Sequence, residues 1–354
     1  MNKSERLLSV FSEDYFFKEL IFDDLEFIPD DTTDTKFIPK GATTLELADL
    51  IINMQDVIVA IQLKERNASK QTFDIKRETK WLEKKCRIAK GQVKQTLAHI
   101  SSGNLPPFRN KKGQLIKFRS DAEVIPLVVF ENKLINSYPH LLKKHSESGS
   151  NINCISFDDF SEMCRILISP REIVDYLRYR KNFFEKHGEV DLMILDGDNE
   201  SIITKPTCNE SLVYNFLAEI YSIQEANQQI ESLCFFNYFL QHLSEHTIES
   251  SVENGYYDIL LFLAHMDRLE ISNFCSRLRD AIAEAQKGTK GILRSMRPTS
   301  NAYVVLFVAD QLVPLDVIIP VVKEKADVNR ILEISICWTS VDDFSIDFLY
   351  WDNN

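Results

Sequence analysis

Gln62 and Lys64 stand two residues apart at the end of an apolar, β-branched run, and Asp49 stands in the apolar run before it. On a strand, residues two apart project from one face. The two runs, residues 45–52 and 57–63, flank residues 53–56, which read as a hairpin loop. If Ile52 pairs with Val57 around that loop, Asp49 falls opposite Ala60, and directly opposed residues share a face. Asp49, Ala60, Gln62 and Lys64 then project together. Glu46 falls opposite Leu63 and points to the other side. An acid, an amide oxygen and a lysine on one face suit metal-assisted hydrolysis of a phosphodiester. The oxygens are ligands for a hard divalent cation, Mg²⁺ or Mn²⁺, which lowers the pKa of a bound water. The lysine orients that water or offsets negative charge developing on the phosphate.

The flanking elements must hold this hairpin in place. Residues 4–22 read as a helix, with Leu7, Leu8, Phe11, Tyr15 and Leu20 at near-helical spacing. An acidic, polar connection follows at residues 29–35. After the hairpin, residues 79–101 read as a long helix. Leu82, Cys86, Ala89, Val93, Leu97 and Ile100 form its buried stripe, and Lys80, Lys84, Arg87 and Lys94 an exposed basic one. Ile88, Gln92, Gln95 and His99 fall on one further line of that helix. Gly103, Pro106 and Pro107 end it, and strands are expected at residues 115–118 and 124–130.

Asp49 and the Gln62-x-Lys64 pair, on a hairpin between two helices, resemble the PD-(D/E)xK superfamily of restriction-endonuclease-like nucleases. The resemblance covers roughly the first third of the chain. It implies a mixed sheet flanked by helices, an α/β (α+β) arrangement. It also implies Asp49, Gln62 and Lys64 as the catalytic set, with Asp49 and Gln62 at the metal and Glu19, on the first helix, as an additional metal-binding acid. The long helix would lie beside the site, bringing Gln92 or Gln95 near it, with Lys80, Lys84, Arg87, Lys90, Lys94 and Gln95 binding nucleic acid. Two departures stand out. Gln62 replaces the usual acid before xK, and Ala48 replaces the proline before Asp49. An uncharged oxygen is the weaker ligand for Mg²⁺, so a non-catalytic nucleic-acid or protein interaction module on a degenerate nuclease fold is the alternative reading.

Charge is distributed unevenly. The net charge is −12, yet residues 62–119 hold 16 Lys and Arg against 4 Asp and Glu, a local +12, leaving −24 elsewhere. Such a basic block in an otherwise acidic chain is the pattern of a phosphate-binding surface. It also suits a solvated basic face that docks on the acidic remainder of the chain.

At 354 residues and 44% hydrophobic content, the chain is long enough for two domains. The stretch 145–151, HSESGSN, is the best linker, separating a nuclease-like domain at 1–145 from a helix-rich α+β domain at 152–354. In the latter, residues 158–168, 170–186, 212–246 and 258–287 read as helices, and 303–309, 317–322 and 332–338 as strands. Its function is not readable; a regulatory role, a protein partner or self-association through it is expected. Seven widely spaced cysteines without a CxxC pair argue for free thiols in a reducing cytoplasm. The polar opening and the absence of a long apolar run predict no secretory signal and no membrane partner.

Two further patterns carry less. His242-Leu243-Ser244-Glu245-His246 matches the short HxxEH zinc pattern, and a polar helix end is the simpler reading. Residues 288–295, GTKGILRS, lack the spacing of a phosphate loop and read as a loop after a helix. The expectation is a metal-dependent nuclease acting on DNA or RNA, by resemblance in bacterial antiviral defence against foreign DNA.

Overall fold

The computed structural model describes residues 3–28, 44–132, 134–135, 141–142, 151–188, 193–196, 199–203, 209–222, 236, 239–240, 248–250, 255–296, 302–308, 314–325, 328–340 and 343–352. The chain divides into two compact units, Met1–Ile220 and Tyr221–Asn354.

In the first unit, α1 (Lys3–Phe16) leads through a short 3-10 turn into β1 (Ile21–Asp23). The hairpin follows as β2 (Leu50–Asn53) and β3 (Val57–Glu65), then α2 (Ile75–Ser102), β4 (Glu123–Glu131), β5 (Leu141–Leu142), β6 (Ile152–Ser156), α3 (Phe157–Ile166) and α4 (Pro170–His187). The six strands form one mixed sheet in the order β1-β2-β3-β4-β6-β5. β2 runs antiparallel to both of its neighbours, β1 and β3, and β3, β4 and β6 run parallel. Parallel neighbours need a crossover, and α2 supplies the one between β3 and β4. β3 and β4 are near-continuous apolar runs because both sheet faces are covered. Leu82, Cys86, Ala89 and Val93 of α2 pack on Val128, Phe130, Ile152 and Cys154. On the other face, Asn153 donates to the Leu177 carbonyl of α4 at 3.0 Å and accepts from Arg180 at 3.0 Å.

Several boundaries differ from the sequence reading. The first helix ends at Phe16, because Phe17 takes a left-handed φ of 57° and residues 21–23 join the sheet. The long helix starts earlier, at Ile75, where the Asp74 carboxylate caps it by accepting from the Lys76 and Arg77 N–H groups. It stops at Gly103, whose φ of 71° suits glycine. The separation expected at 145–151 is not where the units divide, because β6 extends the first sheet and α3 and α4 belong to the same unit.

In the second unit, α6 (Gly255–Ala264) and α7 (Arg268–Gln286) follow α5 (Asn209–Ile220) of the first unit and β7 (Ile248–Ser250). The sequence reads one helix over 258–287; Asp267 and Glu270 form a capping box that starts a second. Then come β8 (Gly291–Met296), β9 (Ala302–Val308), α8 (Leu315–Lys325), β10 (Arg330–Ser340) and β11 (Asp343–Asp352), in a sheet ordered β7-β11-β10-β9-β8. Residues 291–296, expected in a loop, are therefore a strand. Residues 317–322, expected as a strand, lie in helix α8. Their β-branched composition is overridden because Ile318 and Val322, four apart, enter one core with Val305, Val328 and Ile331. The helix expected over 212–246 ends at Ile220, and its remainder falls largely outside the described residues, as does His242–His246. No described helix is long and apolar enough to cross a membrane. No disulfide links the described cysteines, and Cys86, Cys154, Cys164 and Cys275 are buried.

Candidate functional site

The hairpin closes more tightly than its sequence suggests. Ile52 pairs with Val59 and Asn53 with Ile58, and the Met54 N–H donates to the Val57 carbonyl at 2.8 Å. The turn is thus Gln55–Asp56, with Gln55 at φ 71° and its N–H donating to the Asn53 side chain at 3.0 Å. The expected pairing of Ile52 with Val57 is two residues out. A shift of two preserves the face on which every side chain lies. Asp49 still projects with Gln62 and Lys64.

Residues 45–52 are not one strand, however. Leu45–Glu46 pairs with Glu26–Phe27 in a separate ribbon, and the chain bends at Asp49 before β2 begins. α2 fixes that bend. The Thr96 hydroxyl donates to the Leu47 carbonyl, and the His99 ring meets Phe27 edge-on with centroids 5.2 Å apart.

The Lys64 ammonium sits among three oxygens. It donates to the Leu63 carbonyl at 2.8 Å, to Asp49 Oδ2 at 3.3 Å and to Gln62 Oε1 at 3.3 Å. Asp49 Oδ2 also accepts from the Leu63 N–H at 2.6 Å. Gln62 and Lys64 are buried at 3% and 8% exposure, on the sheet face that α2 covers. A cation surrounded by a carboxylate, an amide oxygen and a main-chain carbonyl marks a point where oxygen ligands converge. The donors are all oxygen, which fits Mg²⁺ or Mn²⁺, although only Asp49 brings a full charge. Among the described residues, no group of three or more His, Cys, Asp or Glu side chains is arranged to hold a metal ion.

Other residues stand differently from expectation. Glu46 was assigned to the far side of the hairpin. Its carboxyl is nevertheless raised above the ordinary carboxylate range, by burial first and then by the negative charges of Asp49 and Glu5. Asp49 and Glu5, the latter on α1, therefore both act on Glu46. Glu19 lies past the end of α1 in the 3-10 turn Lys18–Leu20, buried, with its charge acting on Lys112.

Lys80, Lys84, Arg87 and Lys94 are exposed on the outer face of α2, away from the core that Leu82, Cys86, Ala89 and Val93 fill. They run beside the site and do not point into it. Lys90 is half-buried, and its charge and that of Lys64 act together on Cys86, whose thiol is lowered chiefly by a hydrogen bond with Cys154. Gln95 is half-buried. Gln92, one turn before Thr96, has a buried side-chain oxygen without a hydrogen-bond partner among the described residues.

Beyond Lys64 the chain is clamped. Glu78 of α2, fully buried, accepts from Arg66 Nε at 2.7 Å and Nη2 at 2.9 Å, from Asn132 at 2.9 Å, and from the Thr72 N–H at 3.1 Å. These donors hold its carboxyl down at about 2, Arg66 contributing most. Compared with protein-family models, with curated proteins and with solved structures, the chain matches none.

Proposed function

We propose that the first unit is a metal-dependent nuclease acting on DNA or RNA, of the PD-(D/E)xK kind, with Asp49, Gln62 and Lys64 at its centre. The observation that carries this reading is the convergence of Asp49 Oδ2, Gln62 Oε1 and the Leu63 carbonyl on one cation, the Lys64 ammonium. The element order supports it as well: helix, antiparallel hairpin, crossover helix and a parallel strand. Asp49, Gln62 and the Leu63 carbonyl would hold Mg²⁺ or Mn²⁺, which when bound lowers the pKa of a coordinated water and offsets charge on the attacked phosphate. Lys64, on a flexible stem, is the donor that orients the water or meets the developing charge. The outer face of α2 supplies affinity through Lys80, Lys84, Arg87 and Lys94. Defence against foreign DNA is the setting that the resemblance suggests, with the second unit in a regulatory or partner-binding role.

The test is cleavage of plasmid and single-stranded substrates with Mg²⁺ or Mn²⁺, with and without EDTA. Asp49→Ala and Lys64→Ala should each abolish cleavage and leave binding largely intact. Gln62→Glu should preserve or raise cleavage, since it adds the carboxylate a hard cation prefers. Cleavage that survives both alanine variants would remove the site. Gln62 in place of an acid favours one second reading, a binding-only copy of the fold. Wild-type protein that binds nucleic acid but never cleaves, with any metal, would establish it.

A further inference from the structure

Phe73 is the most exposed large apolar side chain among the described residues, at 97%. Water contact over a whole aromatic ring is unfavourable relative to burial, so a flexible loop would fold such a ring down. This loop is not free to do so. On one side of Phe73, the Thr72 N–H and hydroxyl both donate to Glu78, at 3.1 and 3.2 Å, and Gln71 donates to Asn132 at 3.0 Å. On the other side, Asp74 caps α2. Glu78 in turn is locked by Arg66, whose Nη2 also donates to the Lys70 carbonyl. The backbone flanking the ring is thus pinned to a fully buried carboxylate, and the ring stands out from a fixed base.

Its surroundings select the partner. Lys70, Lys76, Arg77 and Lys80 are all exposed, and none forms an ion pair among the described residues. Asp74, engaged as the cap, and Glu83 are the exposed acids on the same stretch, Glu78 being buried. Cores of protein–protein interfaces are depleted in lysine. An exposed aromatic ring on a stretch of chain rich in exposed cations is instead the combination that stacks a nucleobase while the cations hold neighbouring phosphates.

We propose that Phe73 is a stacking platform for an unpaired base of the bound nucleic acid. The inference rests on the nucleic-acid reading of the first unit, and adds to it a preference for single-stranded or locally opened substrate. A base still paired and stacked within a duplex has no free face to offer the ring.

The test uses the full chain and fluorescence anisotropy on a labelled single-stranded oligonucleotide and its matched duplex, over a salt series. Phe73→Ala should weaken single-strand binding about tenfold, within the range for loss of one stacked base. Its salt slope should be unchanged, because no phosphate contact is lost. Phe73→Trp should retain affinity, and Phe73→Leu should behave like Phe73→Ala, since it keeps apolar bulk but no ring. Duplex affinity should change less than twofold. Lys76→Gln with Arg77→Gln should reduce both affinity and salt slope. If Phe73→Ala binds single strands like wild type while the charge variant weakens, the platform is refuted and nucleic-acid binding stands. If Phe73→Ala weakens duplex and single strand equally, the preference for an unpaired base is refuted. Should wild-type protein bind neither substrate at low salt, both readings fall. Sedimentation that shows self-association lost in Phe73→Ala would place the ring in an interface between copies and overturn the proposal.

Discussion

Arg66 and Glu78 tie the end of β3 to the start of α2, two residues beyond Lys64. Both Glu78 oxygens are occupied, so removing the guanidinium leaves a buried charge without its main partner. Arg66→Ala is expected to destabilise the protein, read as a fall in denaturant midpoint. Arg66→Lys should recover only part, because a point charge cannot reproduce the two-pronged contact. The pH dependence has a definite sign. The Glu78 carboxyl lies at about 2 when folded against an ordinary 4.5, so its ionised form is favoured by folding. That contribution is present above pH 4.5 and is lost as pH falls toward about 2. The difference in Tm between wild type and Glu78→Gln should therefore shrink across that window. A difference that grows on acidification would contradict the geometry of the clamp. Glu46 illustrates the limit of reasoning from one strand pair. The hairpin pattern sends it away from Asp49, but its own strand leaves the sheet and pairs with Glu26–Phe27.

At the scale of elements, α2 bridges two parallel strands and also fixes the bend that carries Asp49. Its end depends on Gly103, at φ 71°, where an added Cβ would meet Ser120 Cβ at 3.3 Å. Gly103→Ala should destabilise by about 1–2 kcal/mol from the left-handed backbone alone, and the contact adds to this. A thermal melt checks it, and an unchanged Tm would mean that the helix end relaxes. The buried stripe of α2 was legible because its positions step by three and four, and Leu82, Cys86, Ala89, Val93 and Ile100 are all buried. The shared face of Asp49, Gln62 and Lys64 was legible although the register was not. The pairing error was even, and the alternation of a strand depends only on parity. What the sequence hid is non-local. α8 reads as a strand from its own residues, and only the core containing Val305 and Ile331 makes it a helix. Likewise, nothing in residues 145–151 reveals that the next strand rejoins the sheet already built.

For the whole molecule, net charge and the proposed function point in opposite directions. A chain at −12 repels polyanions, and the proposed binding would come from the local excess over residues 62–119. Part of that excess is neutralised within the unit, by Lys64 with Asp49, Lys111 with Glu13 and Asp23, and Arg119 with Asp121. The outer face of α2 is left as the proposed contact surface. Lys84→Glu with Lys94→Glu should weaken nucleic-acid binding and flatten its salt dependence by about two phosphate contacts, with Tm unchanged. Equal affinity at low salt would place the contact elsewhere. The strand β6 has a consequence for how the chain can be divided. It lies between β4 and the edge strand β5 of the first sheet, with Ile152 and Cys154 in the same core as α2. Cutting the polypeptide within residues 143–150 would therefore not release an autonomous half. It would make two complementary fragments, each lacking one wall of a shared interior, that regain structure only on being mixed.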